Sequence, residues 1–317
     1  MRWGLLVGGH NARIRRVDNG ERNVAGSFSW MNRRVAAPRR RPAVWRAGLA
    51  LGLAALPSIA VANWTWQGQN GLIYDSNTNH AARSDQRQQS LAVTQSLRGQ
   101  TVRLLNAHQA LRWHVGAHTA QNLRFTALSY AQAESGVAWS YRPGAGFHAA
   151  LWSIATNLQW HETGDRLRDG ARTAVRASVT SQLTTRLQAR VSARFDAQAT
   201  ASDAFSTRRL GAGGRLDWQA TPAVAIYVDM KWLDGEFTTT VGESTDLGSD
   251  WTRDTAFDVD GERAYRRSGQ GGSALLGMNW LLTRSCAADL AMRQTALTAG
   301  DQSYSVLSIM ADLIYRF

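Results

Sequence analysis

The sequence has few of the features that stabilise or anchor many secreted proteins. Its only cysteine is Cys286, so the chain cannot form an intramolecular disulfide or a site built from several thiolates. Beyond residue 62, no apolar run approaches the roughly 18 residues that a membrane-spanning helix needs. We read Cys286 as a small apolar residue. The chain must bury its backbone and apolar side chains in some other way.

The amino-terminal part has the three regions of a secretory signal peptide. A stretch rich in arginine at residues 33–46 precedes a charge-free apolar run at residues 47–62. The run is short for a membrane span and ends with a small-x-small motif, in which Ala60 and Ala62 are the expected cleavage determinants. These features predict general secretion in the unfolded state.

The position of Met31 defines the predicted segments. Because Met31 comes just before the basic stretch, we assign residues 31–62 to the signal peptide and residues 63–317 to the mature domain. Residues 1–30 are then an untranslated or upstream extension. The alternative is a long leader that begins at Met1.

Most of the positive charge lies in this leader. The whole chain has a net charge of +12, which would suggest a nucleic-acid partner. Residues 1–62 contain 11 arginines and 2 acidic residues, whereas residues 63–317 contain 25 basic and 22 acidic residues. The mature domain is close to neutral, and we therefore expect no nucleic-acid partner.

The mature domain contains segments of about ten residues in which apolar and polar residues alternate. A strand points successive side chains to opposite faces, so this period of two predicts strands with one apolar and one polar face. Many such segments separated by turns are typical of membrane barrels, which are apolar outside and polar within. We predict an all-β fold, a transmembrane antiparallel up-and-down β-barrel of about 12 strands (roughly 10–14). A soluble β-sandwich is the alternative.

A carboxy-terminus in the periplasm fixes the side of the membrane on which each predicted turn lies, because successive strands cross in opposite directions. This orientation makes the turns at 184–186, 220–222, 284–285 and 143–147 periplasmic, and the longer connections at 162–170, 200–207, 237–271 and 298–303 extracellular. Residues 64–75 could form one more strand, which would make the count odd. The twelve strands are predicted near 88–98, 102–118, 122–132, 135–142, 148–161, 171–183, 187–199, 208–219, 223–236, 272–283, 286–297 and 304–317.

The last strand carries an unbroken apolar face that runs from Leu307 to Phe317 at every second residue. It resembles the terminal strand of Gram-negative outer-membrane barrels, in which a final Phe after alternating apolar residues is read by the barrel-insertion machinery. The resemblance implies that Leu313, Tyr315 and Phe317 form the assembly signal. It also implies insertion into the cell outer membrane, in contact with its lipid and lipopolysaccharide. We expect a monomer.

Arginine is concentrated in one part of the predicted barrel. Residues 88–219 hold 15 arginines and 7 acidic residues, whereas residues 220–317 hold 8 basic and 13 acidic residues. Arginine stays charged and offers planar paired donors to carboxylate, phosphate or sulfate, and rings of arginine favour anions in pores. The alternation predicts that seven arginines face the lumen: Arg112, Arg172, Arg176, Arg190, Arg194, Arg209 and Arg215.

This pattern predicts a pore or binding channel for anionic solutes or acidic glycans. A twelve-strand barrel with arginine tracks is similar in architecture to monomeric channels for acidic oligosaccharides. The alternative is a lumen filled by arginine–carboxylate networks, with partners such as Asp196 and Asp217. The acidic loop at 238–271 is expected to be solvated, or to fold inward and narrow the pore.

Two other functions are considered. Residues 75–79 (DSNTN) resemble a segment of barrels encoded with exopolysaccharide export systems, which implies an accessory barrel without conductance, although asparagine-rich turns also arise from local hydrogen bonding. A surface hydrolase would need an Asp–His pair, and His161, Asp165 and Asp169 lie near a predicted rim without a recognisable spacing. We assign no catalytic residue, no metal site and no cofactor.

Overall fold

The computed structural model describes residues 64–144, 146–241, 251–257, 263–300 and 302–317. The proposed extension, the signal peptide and the cleavage residues Ala60 and Ala62 lie outside these ranges and remain predictions. The described chain is mostly β-strand. The strands are β1 (Thr65–Asp75), β2 (Ser90–Leu104), β3 (Gln109–Asn122), β4 (Tyr130–Tyr141), β5 (Leu151–Thr163), β6 (Gly170–Gln182), β7 (Leu187–Thr200), β8 (Thr207–Gln219), β9 (Val224–Val241), β10 (Trp251–Arg253), β11 (Arg263–Leu281), β12 (Cys286–Ala299) and β13 (Gln302–Arg316).

Twelve of these strands close into one antiparallel barrel. Strands β1 to β9 pair in sequence order, β9 pairs with β11, and β13 pairs with β1 to complete the ring. Closure gives each barrel strand a partner on both sides, as a membrane span requires. Strand β10 pairs only with the first residues of β11. The predicted fold class and strand number are confirmed.

The strand boundaries agree best in the second half of the chain. From β5 onwards each predicted strand overlaps one observed strand, although β9 and β11 extend further into the predicted loop at 238–271. Two predictions in the first half are wrong. The predicted strand at 102–118 covers the end of β2, a turn and the start of β3, and residues 123–129 form a turn rather than the strand predicted at 122–132. Residues 65–75 form β1, whereas three strands (β2 to β4) replace the four predicted between residues 88 and 142. The barrel therefore still has twelve strands.

Both ends of the barrel chain lie at one rim, which is periplasmic in the expected orientation. Residues 183–186, 220–223 and 282–285 form short turns at this rim, as predicted. The connections at the other rim are mostly longer and contain single 3₁₀ turns, for example at Thr126–Leu128. The connection between β12 and β13 is an exception, because only residues 300–301 separate the strands.

The two faces of the barrel differ as the alternation predicts. Leu158, Val191 and Met230 point outward and are among many large apolar side chains that remain exposed. The partially exposed outer tryptophans form two groups: Trp218 and Trp280 lie towards the periplasmic rim, whereas Trp160 and Trp232 lie towards the opposite rim. Such belts are typical of the two membrane interfaces. None of the described segments is a helix that is long and apolar enough to cross a membrane.

Met230 provides a test of the lipid-facing surface. Its side chain is 62% exposed on the outer face, and its neighbour Lys231 points inward and pairs with Asp229. We expect Met230→Arg to lower the free energy of unfolding in lipid by about 2 kcal/mol, because a cation on the lipid face between the two tryptophan belts is poorly solvated. Denaturant titration in vesicles measures the change. The apolar control Met230→Leu should remain within about 1.5 kcal/mol of wild type, and equal stability of the two variants would contradict a lipid-facing position.

Segments of the extracellular connections pack together over that end of the barrel. We call residues 123–129, 164–169, 201–206 and 251–257 the extracellular cap. The buried rings of Phe125 and Phe257 meet edge to face with centroids 5.1 Å apart, and a second buried cluster contains Phe205 and Ala264. The described part of the predicted loop at 238–271 therefore packs against other connections.

Candidate functional site

Six of the seven predicted arginines lie on three consecutive strands. We call these six the arginine wall: Arg172 and Arg176 on β6, Arg190 and Arg194 on β7, and Arg209 and Arg215 on β8. Arg176 lies opposite Arg194, and Arg190 lies opposite Arg215. Paired residues share a face of the sheet, and the alternate positions carry the exposed apolar side chains. The arginine wall therefore faces the interior.

The seventh arginine is separate. Arg112 lies on β3 opposite Ala138 of β4, near the periplasmic rim, and also points inward. Further basic residues that were not predicted as site residues face the interior, among them Arg98, Lys231, Arg267 and Arg293. Only the barrel register shows which face they occupy.

Three members of the arginine wall form ion pairs. Asp196 accepts hydrogen bonds from Arg172 Nη2 at 2.8 Å and from Arg194 Nη2 at 2.6 Å. Asp217 accepts from Arg215 Nη2 at 2.7 Å, and the Arg215 guanidinium lies 4.2 Å from the centre of the Tyr227 ring. This part of the interior is the arginine–carboxylate network that the sequence left as an alternative.

The other three have no carboxylate partner within the described ranges. Arg190 donates to the hydroxyl of Thr180 at 3.1 Å, and Arg209 lies 5.8 Å from the centre of the Phe237 ring. Arg176 has neither a hydrogen bond nor an ion pair among those residues. Only Asp196 and Asp217 supply inward carboxylates on β6 to β8, so positive charge exceeds negative charge on this wall.

Inward carboxylates are found on the other strands. Asp289 of β12 lies opposite Asp312 of β13 in the register. Asp289 accepts hydrogen bonds from Tyr227 Oη at 2.7 Å and from Asn279 Nδ2 at 3.2 Å. On β4, Glu134 lies 3.7 Å from Arg98 Nε. The charges inside the barrel are therefore arranged asymmetrically, with the arginine wall on one side.

A cavity of about 540 Å³ lies in the extracellular half of the interior. Its polar lining includes Gln132, Gln159, Gln198 and two members of the arginine wall, Arg172 and Arg209. Its apolar lining includes Leu233, Phe237, Leu297 and Tyr304, which belong to one buried cluster. The cap contributes Leu128, Arg168, Phe205 and Phe257 to the same cavity.

An ion pair joins two segments of the cap. Arg168 Nη2 donates to both oxygens of Asp254, at 2.9 and 2.8 Å, and its guanidinium lies 4.0 Å from the centre of the Phe205 ring. The Asp254 side chain has no exposed surface and also accepts from Thr240 Oγ1 at 3.1 Å. This pair ties residues 251–257 to the connection between β5 and β6.

His80 lies beside the cavity, outside the barrel strands. Its ring stacks on Tyr304 with centroids 5.3 Å apart, and its Nδ1 lies 3.3 Å from the carbonyl oxygen of Thr238. Burial lowers the pKa of His80, and Arg168 and Arg209 add to this effect against the opposing influence of Thr238 and Asp75. His80 is therefore neutral at pH 7, with Nδ1–H donating to the carbonyl.

The asparagines of the DSNTN segment hold a turn. The Asn77 side chain is fully buried and bonds the backbone of Ala81 and Ser305. The Asn79 side chain donates to the carbonyl of Gln86 and accepts from the amide of Gln88. These bonds give both asparagines the local role that their sequence also suggested.

The rim carboxylates considered for hydrolysis also act within turns. Asp165 accepts from the amide of Leu167 at 3.1 Å, and Asp169 accepts from the amide and hydroxyl of Thr163. No histidine in the described ranges is hydrogen-bonded to a carboxylate. The same ranges contain no group of three His, Cys, Asp or Glu side chains placed to hold a metal ion.

The residues of the predicted assembly signal occupy the expected face. Leu313, Tyr315 and Phe317 alternate with inward-facing Asp312. The amide of Phe317 donates to the carbonyl of Trp66 at 2.9 Å, which joins the last residue to the first strand. Recognition of this strand by the insertion machinery remains a prediction.

The closed cylinder, the outer apolar surface and the charged interior define an outer-membrane β-barrel. The fold is similar to that of an outer-membrane channel from Pseudomonas putida F1, with a TM-score of 0.53 and 11% sequence identity over 83% of this chain and 97% of that one. Two porins have lower scores. The NanC porin gives 0.43 at 9% identity, covering 79% of this chain and 98% of that one, and the KdgM porin, in complex with disordered oligogalacturonate, gives 0.40 at 8% identity, covering 79% and 99%. No protein-family model and no curated protein matches the sequence.

Proposed function

We propose that this protein is an outer-membrane channel whose interior favours anionic solutes, including acidic glycans. The observation that carries the proposal is the excess of arginine over carboxylate on β6 to β8. Among the described residues no carboxylate pairs with Arg176, Arg190 or Arg209, so their charge is available to a passing anion. A guanidinium binds carboxylate, phosphate or sulfate through planar paired donors.

The position of these groups supports a path rather than a surface patch. Arg190 lies towards the periplasmic rim, Arg176 lies near the middle of β6, and Arg209 lines the extracellular cavity. Charged groups inside a narrow, low-dielectric lumen act on ions more strongly than the same groups in bulk water. An anion that crosses the barrel would meet one uncompensated guanidinium after another.

The cap gives this channel a constricted extracellular entrance. Arg168 is paired with both Asp165 and Asp254, so it adds no excess positive charge at the cavity. We infer that movement of residues 251–257 sets the size of the entrance. We favour the channel over the exopolysaccharide-accessory and hydrolase alternatives, because Asn77, Asn79, Asp165 and Asp169 act within turns. His161 lies on β5 and lines the cavity, and no hydrogen bond among the described residues joins it to a carboxylate.

Planar-bilayer recording on the purified protein tests the proposal. With unequal KCl concentrations on the two sides, we expect a reversal potential of the sign that chloride selectivity produces. We also expect galacturonate at millimolar concentration to reduce the chloride current more than galactose does, because only the acid binds arginine. A cation-selective current, or no conductance, would overturn the proposal.

A further inference from the structure

The extracellular cavity has two unlike walls. Leu233, Phe237 and Leu297 present an apolar surface from β9 and β12. Gln132, Gln159 and Gln198 present amides from β4, β5 and β7. A volume of about 540 Å³ is in the range of pockets that hold small molecules. The cavity therefore has the size of a small-molecule site, with one apolar wall and one wall of amides.

Two donors at this cavity have no acceptor among the described residues. Tyr304 is 4% exposed, and its buried hydroxyl has no hydrogen-bond partner. Arg209 faces Asp196 in the register, but the oxygens of Asp196 bond to Arg172 and Arg194 instead. Arg209 on β8 and Tyr304 on β13 both line the cavity.

Leaving a buried donor unsatisfied is costly, and an unpaired buried guanidinium is more so. The group that would satisfy both donors is an anion with two oxygens. A carboxylate matches one guanidinium and one hydroxyl, whereas a phosphate dianion calls for more than one free cation. An apolar group about the size of one ring, on the same molecule, would pack against the apolar surface beside these donors.

We propose that Arg209 and Tyr304 form a binding site for the carboxylate of a small amphipathic monocarboxylic acid. Its apolar body packs on Leu233, Phe237 and Leu297, and the glutamine wall accommodates polar substituents. This proposal depends on the proposed anion channel, since the site would lie along the path that anions take through the barrel. It narrows the ligand class from anions in general to ring-sized carboxylates.

Isothermal titration calorimetry on the full-length protein in detergent tests the site, with benzoate as the probe. Benzoate should bind, while acetate, which lacks the apolar body, and benzyl alcohol, which lacks the charge, should bind at least about tenfold more weakly. Arg209→Gln should weaken benzoate binding by at least about tenfold, because it removes a charged hydrogen-bond donor. Tyr304→Phe keeps the ring and should weaken binding by about tenfold through loss of the hydroxyl.

Arg112→Gln is the matched control, since it removes an inward arginine that does not line the cavity, and it should bind benzoate like wild type. Equal binding of benzoate and benzyl alcohol, or wild-type affinity in both Arg209→Gln and Tyr304→Phe, would overturn the site. Anion-selective current without benzoate binding would refute the site and leave the channel standing. Cation-selective current would refute the channel itself.

Discussion

Replacement of Arg168 by methionine should raise the single-channel conductance several-fold. The substitution removes both hydrogen bonds to Asp254 and the contact with the Phe205 ring. It leaves the Asp254 carboxylate, which has no exposed surface, without its cation and with the Thr240 hydroxyl and the Ala256 amide as its remaining donors. Removing one partner of a buried ion pair typically costs about 3–5 kcal/mol. Arg168 is partly exposed, so we expect a cost of about 2–3 kcal/mol, which is sufficient to release residues 251–257 locally.

A labelling experiment separates release of the cap from general unfolding. Cys286 is first replaced by serine, and Ala256, which is 4% exposed, is replaced by cysteine. A maleimide should label this cysteine slowly in the otherwise native barrel and quickly in the Arg168→Met variant. Arg83→Gln breaks the well-exposed pair with Asp85 and should alter neither labelling nor conductance. Unchanged labelling and conductance in Arg168→Met would show that the pair does not hold the cap closed.

Replacement of Asp196 by asparagine should have the largest effect on the arginine wall. Asp196 is 7% exposed and is the only carboxylate in the described part of the chain that is bonded to Arg172 and Arg194. Its loss leaves both guanidiniums uncompensated beside Arg176 and Arg209. We expect the free energy of unfolding to fall by about 3 kcal/mol and the anion selectivity to increase, because one negative charge is removed from the lumen.

Asp217→Asn is the matched control for this variant. Asp217 is bonded to one arginine only and its side chain is 29% exposed, so the loss of stability should be about 1 kcal/mol or less. Denaturant titration and reversal potentials on both variants give the comparison. Equal loss of stability and equal selectivity in the two would mean that Asp196 does not neutralise the wall.

The second half of the barrel could be predicted from sequence because its alternation is strong. In β6 and β7 small apolar residues alternate with Arg, Ser and Gln, and Thr184 to Arg186 form a polar turn. The same alternation identified the inward face of the six wall arginines. It could not show which arginines are paired, because Asp196 bonds both to a residue on its own strand and to one 24 positions away.

In the first half of the barrel, several strand boundaries were predicted wrongly for physical reasons. The predicted break between the strands at 122–132 and 135–142 contains Glu134, which lies within β4 and faces Arg98, Asn157 and Gln159 inside the barrel. The turn between β2 and β3 includes Leu105, which masks the break between the strands. In β1, Gly68 and Asn70 occupy outward positions between Trp66 and Leu72, so the apolar alternation is interrupted.

The cap was harder to foresee. Each of its connections carries at least one large apolar residue, such as Phe125, Leu167, Phe205 and Phe257, among polar residues. A single phenylalanine in a loop is weak evidence, but its repetition in successive connections was a usable signal. The pairing of Arg168 with Asp254, 86 residues apart, depends on the closed barrel and has no local pattern.

The most direct test of the arginine-lined path is the reversal potential of the double variant Arg176→Gln/Arg190→Gln. The control Arg112→Gln/Arg293→Gln removes the same charge from inward positions outside the arginine wall. We predict that the first variant loses most of the anion preference and that the control keeps it. An unchanged reversal potential in the first variant, or an equal shift in both, would contradict the assignment of anion selectivity to this wall.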